Sequence, residues 1–222
     1  MKSFAALYAE LDETTRIGEK VDALAAYFAS TPPEDAAWAV HFLSGRRPRR
    51  LVGARKLAAW AMEAADVPEW LFAECYESVG DLAETISLLL PDSGASSDRP
   101  LRHWVEERLL PLRGEDEATQ RAEVQRAWAE LDGPQAYVWN KLITGSFRVG
   151  VSRSLVVRAL AQASGVPESA SRCRLSAATI SFRSTRRRAS VVAMKPAPPV
   201  MKMRLPSSTR RPASRTKSRR RR

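Results

Sequence analysis

The sequence predicts an all-α protein, and three observations carry that prediction. Apolar residues recur at i, i+3, i+4 and i+7 in segment after segment up to residue 166, the spacing of a single helix face. Gly and Pro punctuate those segments at helix-length intervals. No run of alternating β-branched residues stands between turn signals, as a strand would require. The expected architecture is a multi-helix domain in two packed halves, with about ten helices, followed by a disordered basic tail.

Along the chain, Val21, Leu24, Ala25 and Phe28 define one apolar face through "EKVDALAAYF". "STPPEDAAWAVHFL" offers Thr31 as an N-cap, Pro32 at the first helical position and Glu34 three residues after the cap, a capping-box arrangement. Trp38, Ala39 and Phe42 form the next stripe, and Leu57, Trp60, Ala61 and Ala64 the one after. "VPEWLFAECYESV" and "GDLAETISLLL" follow, punctuated by Pro68 and Gly80. "PDSGASSDRP", residues 91–100, is polar and bounded by prolines, and is expected to be a flexible linker between the halves. Beyond it come "LRHWVEERLL", then "EATQRAEVQRAWAEL" with Val124, Trp128 and Leu131 on one face, then "PQAYVWNKLIT" and "SRSLVVRALAQAS".

The chain has 222 residues, 44% of them hydrophobic, enough for one domain with a buried core plus a tail. No run reaches the roughly 18 apolar residues of a membrane span, and acids stand where a secretory signal would place its cleavage site. Cys75 and Cys173 lie far apart in unlike contexts, so free thiols and a cytoplasmic setting are expected. The formal charge of +11 hides two regions. Residues 1–170 hold 19 Lys and Arg against all 25 Asp and Glu, a net of −6; residues 171–222 hold the other 17 basic residues and no acid. That tail is Arg, Ser, Pro and Ala with one aromatic, Phe182. It cannot bury enough apolar surface to offset the entropy of ordering, so disorder is expected.

Two basic sites interrupt the acidic body. In "SGRRPRRLVGARK", residues 44–56, Gly45 and Pro48 break the helix and leave Arg46, Arg47, Arg49 and Arg50 on a turn. Like charges so close repel unless something anionic neutralises them, and a phosphate backbone does so with counterion release. A solvated charge run is the alternative. The second site is "KLITGSFRVGVS", residues 141–152. Phe147, Val149 and Val151 alternate with Arg148, Gly150 and Ser152, so in an extended segment the apolar three can anchor while Arg148 and Ser152 face outward. Gly150 permits close backbone approach. Ser152 or Ser154 can cap the next helix, whose N–H groups favour phosphate, and Lys141, one turn before Gly145, adds a cation. The pattern fits a phosphate-gripping loop or, equally, a capped turn with a solvated arginine.

Other chemistry finds no support. His41 and His103 lie in separate helices without a second ligand at metal spacing, and His41 reads as a core or boundary residue. There is no Walker-type phosphate loop, and "GSFRVG" follows no strand, so it is no dinucleotide fingerprint. The acidic pairs Glu106–Glu107 and Glu115–Asp116–Glu117 read as solvated surface, and the six tryptophans mostly as core.

"LITGSFRVGVSRSLVVRALAQASG" resembles the signature near the end of the N-terminal DNA-binding domain of ATP-dependent DNA ligases, where a glycine, an Arg-x-Gly step and a "VxxAL" helix recur. "WAVHFLSGRRPRRL" and "LFAECYESVGDLAETISLLLP" resemble further parts of that all-helical domain, in the form found in stand-alone bacterial ligases. The resemblance covers residues 1–168. It implies a domain that grips nicked or duplex DNA, largely through phosphates in the minor groove and without sequence specificity. Carried over by position, Arg148, Gly150 and Ser152, with Gly145 and Lys141 beside them, would lie at the DNA; Arg46, Arg47 and Arg49 would meet backbone elsewhere. A monomer, cytoplasmic and associated with the nucleoid, in DNA repair, recombination or replication, is what the family implies.

The departure is that ligases continue into a domain whose Lys-x-Asp-Gly lysine takes AMP from ATP, with Mg, and then an OB fold. No Lys-x-Asp-Gly occurs here; "ELDGP" has Glu130 where the lysine would stand. The chain is therefore expected to lack ATP and Mg sites of its own and not to ligate alone. Residues 169–222 are expected to be either a genuine basic arm or an out-of-frame end of a truncated or frameshifted ligase, the second favoured because composition changes where the resemblance stops. Two alternatives are a helical DNA-binding or scaffold protein unrelated to ligases and a helical adaptor whose arginines meet an acidic protein.

Overall fold

A computed structural model describes residues 1–46, 51–145, 147, 149–165 and 167. The expected linker falls inside this set. Arg47, Arg49, Arg50, Arg148, Cys173 and the tail from 169 to 222 lie outside it.

All regular structure among the described residues is helical. α1 (Lys2–Glu13) buries Phe4, Leu7, Tyr8 and Leu11, and α2 (Ile17–Ser30) buries Val21, Leu24 and Tyr27. Thr31 closes α2, its N–H bonded to the Tyr27 carbonyl. α3 (Pro33–Leu43) starts one residue later than the capping-box pattern predicts: Pro32 is its N-cap and no side chain caps it. The reason is that two prolines supply no N–H, so the first turn has few donors for Thr31 to satisfy. α4 (Ala54–Ala65) buries Leu57, Trp60 and Ala61. α5 (Glu69–Val79) runs from Pro68 to Gly80, whose φ of 77° makes the left-handed stop. α6 (Leu82–Leu89) is capped by Asp81, which accepts from the Glu84 N–H.

α7 (Leu101–His103) continues into a π-helical turn, Trp104–Leu109, and a 3-10 turn, Leu110–Leu112. Pro111 offers no N–H to a continuing α-ladder, and the helix ends there. Arg108 of this segment is buried, ion-paired to Glu123 and Glu130 of α8 (Glu117–Glu130) and stacked over Trp104 at 5.0 Å. α9 (Gly133–Thr144) is buried around most of its circumference, and α10 (Arg153–Ser164) closes the fold.

The halves interlock rather than merely abut. α10 lies along α2, α9 packs on both α1 and α6, and α4 touches α8. One apolar cluster therefore runs from Met1 to Leu160. The 91–100 segment, expected to be a flexible linker, is tied along its length. Ser93 bonds the Leu131 carbonyl, Ser96 the Asp132 carboxylate and the Ser97 N–H the Gln135 side chain, while Asp35 receives the N–H groups of Leu101 and Arg102. Its serines are capping and bridging groups, which composition alone cannot distinguish from solvated ones. Five tryptophans are buried as expected; Trp70 is the exception, 68% exposed on α5.

Candidate nucleic-acid interface

The loop after α9 is built from its ends inward. Gly145 ends the helix at φ 69°, a left-handed cap that favours glycine. Phe147 then turns into the core. Its ring stacks on Phe4 at 5.7 Å, meets Tyr8 edge-on at 4.8 Å and reaches Phe42 at 5.9 Å. Val149 is buried and Val151 half-buried. The alternating apolar anchors expected from the sequence are thus all engaged. Gly150 takes φ 64°, and Ser152 is the N-cap of α10, its Oγ accepting from the Leu155 N–H at 3.4 Å and lying 2.7 Å from Ser154 Oγ. Ser152, Arg153 and Ser154 are exposed, so the start of α10 faces solvent with its dipole's positive end and remaining N–H groups.

Residues flanking the two basic sites, about a hundred residues apart in sequence, meet in the fold. Past the arginine turn, the Leu51 N–H donates to the Ile143 carbonyl at 3.3 Å, two residues before Gly145. Before that turn, Phe42 contacts Phe147. The residues on either side of the arginine turn are therefore fixed beside the end of α9 and the first anchor of the glycine loop. Arg46 is half-buried and close enough to His41 for its charge to act there. Burial first, then the Arg46 guanidinium, lower the His41 pKa to about 4, so its ring is neutral at physiological pH.

Lys141 departs from the role expected of it. Its ammonium points inward, 2.8 Å from Asp81 Oδ2 and 5.0 Å over the Tyr137 ring, and the residue is 6% exposed. Burial alone would lower its pKa, but the Asp81 hydrogen bond and charge outweigh that and hold it above the usual lysine value. Its charge fastens α9 to the start of α6 and is already neutralised. The expected cation beside the loop comes instead from Lys20 of α2, whose Nζ donates to the Val149 carbonyl at 2.9 Å. A signal for Lys20 existed: it stands at i to Leu24 at i+4 and Tyr27 at i+7, a lysine within an apolar stripe.

Among the described residues no group of three or more His, Cys, Asp or Glu could hold a metal, and His103 is bonded to Glu107 at 2.9 Å. No helix among the described residues is long and apolar enough to cross a membrane. A family model described as the DNA ligase N terminus matches residues 1–161. No match to an individual curated protein was found.

Proposed function

The chain belongs to the DNA ligase N-terminal family, and from that premise we propose that residues 1–161 grip nicked or duplex DNA without sequence specificity, as the DNA-binding domain of an ATP-dependent ligase. The match removes the alternative of a helical protein unrelated to ligases. One observation carries the reading: the residues on either side of the arginine turn, remote in sequence from the glycine loop, are fastened beside its start through Leu51–Ile143 and Phe42–Phe147. Such a surface suits a phosphate backbone. Arg148, Arg46, Arg47 and Arg49 supply charge, and Ser152 with the start of α10 supplies donors. Phosphate contacts of this kind position a duplex and read no bases. The reading includes a monomer working on DNA in the cytoplasm, beside the nucleoid.

Fluorescence anisotropy with a nicked duplex tests it, using residues 1–170 so that the basic tail cannot bind in their place. The core cluster, Met1 to Leu160, lies wholly inside that span. Binding should weaken steeply with salt. Arg148→Ala should cost about 1–2 kcal/mol on every sequence tried. Equal binding by the variant removes the loop from the interface.

A further inference from the structure

Lys20 is an unusual residue to find buried. It is 7% exposed, yet among the described residues its ammonium has one acceptor, the Val149 carbonyl at 2.9 Å, and no carboxylate partner. Burying a lysine charge is costly without compensation, and apolar side chains at that point of α2 would pack more cheaply. Lys141, the other buried lysine, shows the ordinary solution, an aspartate 2.8 Å away. Gly150 completes the arrangement. At φ 64° it brings its backbone so close that a Cβ there would stand 2.9 Å from Lys20 Nζ. Side chain and glycine therefore fit each other: the ammonium occupies the space that glycine leaves.

We propose that Lys20 is a positioning residue, a latch from α2 that fixes the Val149–Gly150 turn and with it the presentation of Ser152 and the start of α10 to DNA. This rests on the DNA-binding reading for its purpose, but not for its mechanism. The ammonium holds the carbonyl, the carbonyl orients the Val149–Gly150 peptide, and that peptide leads directly into the Ser152 cap of α10. α2 already packs along α10, and the Gln162 side chain bonds Asp22 at 2.9 Å, so the latch acts between elements that are otherwise rigidly joined. The positive charge left over beside the turn also favours an anion there, without Lys20 itself reaching it.

Lys20→Met keeps the stem and removes the donor. In the full chain, amide hydrogen exchange at residues 149–152 should quicken roughly tenfold in this variant, with the helices unaffected. Unchanged exchange in the turn overturns the latch, whether or not the protein binds DNA. If instead the whole domain loosens, Gly150→Ala decides. The added methyl displaces the ammonium only when Lys20 is present, so Gly150→Ala and Lys20→Met should be less than additive in turn exchange; strict additivity overturns the proposal. On nicked duplex, Lys20→Met should weaken affinity about five- to tenfold with the slope of log K against log salt unchanged. A slope smaller by about 0.9 would mean that Lys20 meets a phosphate directly, and would overturn the positioning role. If neither parent nor variant binds DNA while the turn still loosens, the latch stands and the DNA-binding reading falls.

Discussion

Three buried or half-buried cations lie close to the candidate interface, and each is handled differently. Lys141 is neutralised by Asp81, Lys20 is spent on a backbone carbonyl, and Arg46 presses on His41. His41 gives a pH prediction with a definite sign. Its pKa is lowered from 6.5 to about 4 in the folded protein, so on acidification the unfolded chain takes up the proton first. Stability contributed by the neutral ring is complete above pH 6.5, declines as pH falls through that value, and levels off below about 4. The loss should reach about 2–3 kcal/mol. Carboxylates titrate in part of the same window, so the measurement is a difference: urea denaturation of the parent and of His41→Leu from pH 7 to pH 4. The parent should lose more stability than the variant, and parallel curves would contradict the assignment.

At the scale of elements, side chains that look like solvent-facing polar residues turn out to be joints. Asp132 caps α9 through the Gln135 N–H at 2.9 Å and also accepts from Ser96 at 2.8 Å, so one carboxylate starts a helix and holds the 91–100 segment. Asp81 does similar double duty, capping α6 and pairing with Lys141. Asp132→Ala should cost about 1–2 kcal/mol in thermal or urea unfolding, the cost of a cap. It should also open 91–100 to limited proteolysis, whereas Ser96→Ala alone should expose the segment with little loss of global stability. Cleavage at an unchanged rate in both variants would show that these bonds do not hold the segment. The glycine loop is a joint of a different kind. Its first anchor, Phe147, is aromatic, and the Phe4–Phe147–Phe42 contacts couple its position to α1 and α3.

For the whole molecule, one core running from Met1 to Leu160 and a family match over 1–161 describe the same unit. A net charge of −6 over residues 1–170 makes that unit unsuited to binding DNA by bulk charge, so the proposed DNA grip rests on local placement of arginines. The tail, with 17 positive charges, is a separate electrostatic object. These 222 residues contain no Lys-x-Asp-Gly, and incubation with labelled ATP and Mg should leave no covalent AMP on them. A lysine-linked adduct, detected by gel and peptide mapping, would reveal a nucleophile that the sequence does not disclose.

The sequence by itself determined that the body is helical, because helix periodicity and Gly/Pro punctuation are local properties. Val124, Trp128 and Leu131 are buried together as their spacing requires, and Gly80 and Gly145 stop helices where expected. It also determined the anchors of the glycine loop, since alternation in an extended segment is equally local. It misplaced the start of α3 by a residue and took 91–100 for a flexible linker, because capping partners such as Asp132 and Gln135 lie far along the chain. Only the tertiary structure decided which charges are available. Lys141 reads as a cation beside the loop until packing sets it against Asp81, and it is Lys20 that packing sets against Val149. Only it, too, laid the residues flanking the arginine turn against the start of the glycine loop. That juxtaposition depends on Leu51 meeting the last turn of α9 and on Phe42 of α3 meeting Phe147, a long-range packing outcome that no local spacing encodes.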